Sequence, residues 1–220
     1  MAMASHVNEW TLLSDHVGDF KAESPHVSCF VAALRDAGFC LGRDLKTGLR
    51  VSAQHDLASW PGTFVYLVLL EQIGKTLRPK GGRDLPPKAG KKLSDEHPLE
   101  RALRQFAAGN VTLTQRKALY ALRCALAHEY GLFNASKSPD YNRHFTLTDS
   151  GPMFLRPKVK WNGSYSNPNL GSATTVNVIK VADMAEEVVR SVRAHSNQMT
   201  LRSRVSLKEL QMRFSLTMSS

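Results

Sequence analysis

The chain has 220 residues, enough for one domain with a buried core, and its 42% hydrophobic and 22% charged residues fit an ordinary globular protein. Twenty-nine Lys and Arg against nineteen Asp and Glu leave a net charge of +10, which favours polyanionic partners, nucleic acid before an anionic membrane surface. Three cysteines (Cys29, Cys40 and Cys124) form no CxxC pair and leave an odd thiol in any disulfide scheme, so they read as reduced and the chain as cytoplasmic.

The N-terminal stretch lacks the basic start and long apolar run of a signal peptide. Over residues 1–58 the pattern is mixed. Cys29, Phe30, Val31 and Leu34 predict one helix ending at Gly38, with a turn-rich stretch after it to Gly48. A stronger pattern follows at 59–78: Pro61 sits where a first helical turn tolerates it, Phe64, Leu67, Val68, Leu70 and Ile73 recur at helical spacing, and Arg78 before Pro79 closes the helix. Its apolar run at 64–70 stops at Glu71, far too short to cross a bilayer.

Between 75 and 92, Lys75, Arg78, Lys80, Arg83, Lys88, Lys91 and Lys92 stand among glycines and prolines. This reads as a basic loop, either a solvated linker or an arm that contacts RNA phosphates. A short helix from His97 and Pro98 through Leu99, Leu103 and Phe106 ends near Gly109. The next helix runs from about 113 to 130, opened by a capping box of Thr112 with Gln115 and stopped by Gly131 and Asn134.

Beyond 135 the character changes. Residues 143–148 and 153–161 predict strands, the second at an edge because Pro157 cannot donate to a ladder, and 174–179 a third. A helix at 181–195 carries Met184, Val188, Val189 and Val192, and an amphipathic piece spans 205–214.

The helix at 113–130 holds the chemistry. Stepping about 100° per residue from Leu119, the residues Leu122, Leu126, Tyr130 and Phe133 fall in one stripe, with Arg123 about 40° off it. The other face is Ala118, Ala121, Cys124, Ala125 and His128, with Lys117 its one charge. Such a helix is expected to be buried on two sides, against its own chain or a second subunit. A guanidinium there needs an anion, because desolvating it alone costs several kcal/mol. Arg-to-His spacing by itself decides nothing, since Arg50 to His55 and Arg190 to His195 match equally.

The run Arg123, Cys124, Ala125, Leu126, Ala127, His128, Glu129, Tyr130 resembles the RxxxxHxY form of the Rx4-6H motif in HEPN domains, notably in toxins paired with a minimal nucleotidyltransferase antitoxin. The long apolar helix, variable loop and motif helix over roughly 60–135 resemble that family too. The resemblance implies a homodimer, in which two motif helices face each other across a composite cleft. It also implies metal-independent cleavage of RNA to a 2′,3′-cyclic phosphate and a 5′-hydroxyl, in a toxin or defence effector. His128 would move protons near neutral pH and Arg123 would hold the scissile phosphate. Tyr130 matches a tyrosine that the antitoxin adenylylates, although a core tyrosine is the simpler reading. Glu129 and Asn134 are candidates for lining the site, or a surface carboxylate and a helix cap. Nothing in the sequence places Arg143 or His144 in the cleft.

The competing reading makes His128 a core histidine bound to a backbone carbonyl and Arg123 half of a structural ion pair. On that view the chain is a non-catalytic RNA- or nucleotide-binding module or a dimerising scaffold. No metal is expected, since the eight histidines are scattered without HExxH or zinc spacing, and no cofactor is expected; the chain also lacks a GxxxxGK[ST] phosphate-cradling loop and a GxSxG nucleophile elbow. The expected fold is mainly α: a HEPN-like up-and-down bundle of about four or five helices. Its core spans 59–135 with C-terminal helices at 181–215, and a small antiparallel β insertion occupies 136–180, all in one domain of 1–220.

Overall fold

The structure is a computed structural model that describes residues 9–18, 26–44, 59–86, 96–109, 111–128, 131–165 and 170–217. It is mainly helical. In chain order the elements are α1 (Glu9–Val17), β1 (His26–Ser28), α2 (Cys29–Cys40), α3 (Ser59–Thr76), β2 (Leu77–Pro79), α4 (Pro98–Phe106), α5 (Leu113–His128), β3 (Phe133–Asn134), β4 (Arg143–Thr148), β5 (Phe154–Leu155), β6 (Ala173–Asn177), α6 (Val178–Asn197), β7 (Leu201–Ser203), α7 (Leu207–Phe214) and β8 (Ser215–Thr217).

The apolar run of the long third helix becomes the centre of the molecule. Tyr66, Leu67, Leu70 and Ile73 of α3 are fully buried, and α2, α4, α5 and α6 all pack on α3. Burying side chains of this size stabilises by about 1.5–3 kcal/mol each, so this helix organises the bundle. Gly74 permits the closest approach. A Cβ there would collide with the carbonyl of Pro98, where α4 begins.

Local chemistry sets the helix ends. The Ser28 hydroxyl accepts from the Phe30 amide at 3.1 Å to open α2, and Asn177 accepts from Ile179 and Lys180 to open α6. Pro98 occupies the first turn of α4. The helix expected to end at Gly38 runs on to Cys40, and α1 is an element that the mixed pattern of the first 58 residues did not predict.

The β insertion corrects the expectation of an antiparallel sheet. Its four strands run in the order β3-β4-β6-β5; the outer pairs are antiparallel, but the central pair β4–β6 is parallel, with His144 opposite Ala173 and Thr148 opposite Asn177. The reason lies between those strands. Chain leaving β4 makes the two-residue edge strand β5, which runs antiparallel to β6 and stops before Pro157, and β6 begins level with the start of β4 rather than its end. Strand pairing also begins at Phe133, ahead of position 136. Two further pairs, β1 with β8 and β2 with β7, tie distant parts of the chain together. No helix among the described residues is long and apolar enough to cross a membrane.

Candidate functional site

The capping box forms as expected. Thr112 N–H donates to Gln115 Oε1 at 2.8 Å, and the Gln115 amide donates to Thr112 Oγ1 at 3.3 Å. From that start α5 turns Leu119, Leu122 and Leu126 into the core, all fully buried. Its small face is covered as well: Ala118, Ala121 and Ala125 are at most 3% exposed within this single chain, which packs α5 on α3, α4, β3 and β4. The chain itself therefore provides the second layer over these alanines.

Arg123 and His128 have different surroundings. The Arg123 side chain is 21% exposed and pairs through Nε with a carboxylate oxygen of Glu71 on α3. The two atoms lie within ion-pair distance but outside hydrogen-bond alignment, so the contact is mainly coulombic. His128 is the last residue of α5 and is exposed, so it is not a core histidine. Five helical steps part the two residues by about 7.5 Å of rise and about 140° of turn. Arg123 thus has a structural partner on α3, while the His128 side chain is exposed.

Beside Arg123 the fold assembles groups that sequence spacing did not bring together. Tyr120, one turn before Arg123, stacks on His97 with ring centroids 3.7 Å apart and planes within 10°. It meets Tyr141 edge-on at 5.5 Å. Burial raises the pKa of Tyr120, as does the neighbouring Cys124, to which it hydrogen-bonds. Burial likewise holds the Cys124 thiol above its usual range, opposed by bonds from Tyr120 and Arg123. The Tyr141 hydroxyl donates to Glu100 at 2.8 Å; Glu100 is 2% exposed, and its pKa is raised by desolvation. Lys117 lies over the Tyr141 ring and pairs with Asp140.

Comparison with family models, curated proteins and solved structures gives no match. What the site can do therefore rests on its own geometry.

The remaining expected residues are dispersed. Lys75, Arg78, Lys80 and Arg83 are exposed along the end of α3, β2 and the turn after it. Lys88, Lys91, Lys92, Glu129 and Tyr130 lie outside the described residues. Asn134 is in β3 rather than at a helix stop, and its side-chain amide donates to the Tyr141 carbonyl at 2.7 Å. Phe133, placed by periodicity on the α5 stripe, belongs to the same strand. His144 stacks on Phe133 at 4.3 Å, while Arg143 lines a cavity at the opposite end of α5. Among the described residues no group of three His, Cys, Asp or Glu side chains is arranged to hold a metal ion.

Sequence reasoning missed Glu71, His97, Tyr120, Tyr141 and Glu100. A signal existed for two of them. Glu71 is the first charge after a strongly apolar run, and Tyr120 stands four residues before Cys124 on one helical face. The others reach the cluster from elements that are distant in sequence.

Proposed function

We propose that the chain is a metal-independent endoribonuclease of the HEPN type that acts as a homodimer on RNA. The observation that carries this reading is the outward-facing His128 at the end of α5, one and a half turns beyond an Arg123 that is held in place yet retains solvent contact. His128 would take the 2′-hydroxyl proton; the 2′-oxygen would then attack phosphorus as the bond to the 5′-oxygen breaks, leaving a 2′,3′-cyclic phosphate and a 5′-hydroxyl once that oxygen is protonated. Arg123 would stabilise the charge gathering on the phosphate. The angular separation of the pair on one helix is why the reading includes two subunits. The net charge of +10 and exposed Lys75, Arg78, Lys80 and Arg83 suit an RNA strand. A role as a toxin or defence effector, restrained by a nucleotidyltransferase that adenylylates Tyr130, belongs to the same proposal.

One observation favours a second reading, a non-catalytic RNA- or nucleotide-binding or dimerisation module. Glu71 already neutralises much of the Arg123 charge, and a phosphate must compete with it. A single assay separates the two readings. Single-stranded RNA is incubated in EDTA with the parent, His128→Ala and Arg123→Ala. The nuclease reading expects each variant to lose at least about a hundredfold in rate, typical of removing a proton-transfer group or a charge stabiliser. Unchanged cleavage by either folded variant sinks it, and RNA retained uncut by the parent supports the binding module.

A further inference from the structure

We propose that the cavity at the N-terminal end of α5 is a phosphate-binding site, taking a phosphate ester whose organic part rests on Phe154. Arg143, Arg156, Thr114, Gln115, Phe154 and Thr174 line it, and its lining contains no acidic residue. Arg143 is half-buried and donates through Nε to the Asp140 carbonyl at 3.0 Å. Its terminal nitrogens engage nothing further among the described residues, and the Asp140 carboxylate is taken by Lys117. Burial pushes the Arg143 pKa down, and the nearby Asp140 charge opposes that shift without cancelling it. Arg156 stands exposed on the segment after β5 and also has no partner among the described residues.

Thr174, 4% exposed on β6, also lines the cavity. Two planar guanidinium forks, hydroxyls and the positive end of α5 suit a multi-oxygen dianion better than a carboxylate. The site does not rest on the nuclease reading, because roughly 21 Å of helix separates Thr114 from His128.

The shared chemistry is the phosphate, whether on a free nucleotide or at the end of an RNA strand. Titration calorimetry at low salt on the full chain tests it with adenosine 5′-monophosphate, adenosine, and a 5′-phosphorylated hexauridylate whose 2′-O-methyl groups block cleavage. The nucleotide is expected to bind at least about tenfold more tightly than the nucleoside. Arg156→Gln, at an exposed position, is expected to weaken it about tenfold, and Thr174→Val about threefold with Tm unchanged. Tighter binding of the oligomer assigns the site to a strand end, and binding of the nucleotide alone assigns it to a free nucleotide; both uphold it. Equal binding of nucleotide and nucleoside, or parental affinity in Arg156→Gln and Thr174→Val alike, overturns it.

Discussion

Glu71 on α3 pairs with Arg123 on α5, each side chain 21% exposed, and this contact joins the central helix of the bundle to the helix that bears the candidate motif. Such a pair lies between the surface case, worth at most about 1 kcal/mol, and the buried case, where removing one partner costs about 3–5 kcal/mol. A double-mutant cycle of Glu71→Gln and Arg123→Gln in urea is expected to give a coupling of about 1–2 kcal/mol that shrinks in high salt. A coupling near zero would mean that Arg123 is free for an external anion at no structural cost.

Gly74 meets the first turn of α4 with no room for a methyl group. In an open helix Gly→Ala gains up to about 1 kcal/mol, but here the collision with the Pro98 backbone decides the sign. Gly74→Ala is expected to destabilise by about 3 kcal/mol or more, read as a lowered urea midpoint, because backbone on both sides resists movement. A stabilised variant would mean that α3 and α4 pack further apart.

His16 is 5% exposed, bonds through Nδ1 to the Ser28 hydroxyl at 2.9 Å, and burial lowers its pKa to about 4. The unfolded chain, with an ordinary histidine near 6.5, binds more protons between those values than the folded one does. Stability contributed by neutral His16 is therefore full above about pH 6.5 and is lost as pH falls toward 4, a loss on the order of 3 kcal/mol. Urea midpoints across that range should fall for the parent and stay flatter for His16→Gln.

Glu100 is buried against the Tyr141 hydroxyl, and desolvation raises its pKa. Its ionised form is thus penalised as pH rises through the folded pKa. Glu100→Gln keeps an acceptor for Tyr141 and removes that penalty, so its Tm should match the parent at pH 4 and equal or exceed it at pH 8. Glu100→Ala leaves a cavity and an unpaired hydroxyl and should lose about 2–3 kcal/mol at both pH values.

The helices α3, α4 and α5 were legible to within a few residues because their signals are local: apolar spacing, a proline in the first turn of α4 and the reciprocal Thr112–Gln115 bonds. α6 was legible for the same reason, beginning three residues earlier than its apolar stripe suggested, at the Asn177 cap. The three-residue pairs β1–β8 and β2–β7 were not. Segments that short have no periodicity, and what makes them strands is a partner more than a hundred residues away.

Charge, helix content, the capped motif helix and the positions of Arg123 and His128 along it were determined by the sequence alone, since each depends on residues within a few turns of one another. Tertiary structure decided the rest: Glu71 lies against Arg123, His97 stacks on Tyr120, β6 runs parallel to β4, and Arg143 turns toward a cavity instead of the motif. Those relationships depend on how helices and strands far apart in the chain share one core, and that arrangement is set by packing volume and by pairing of buried polar groups, neither of which is written in any local run of residues.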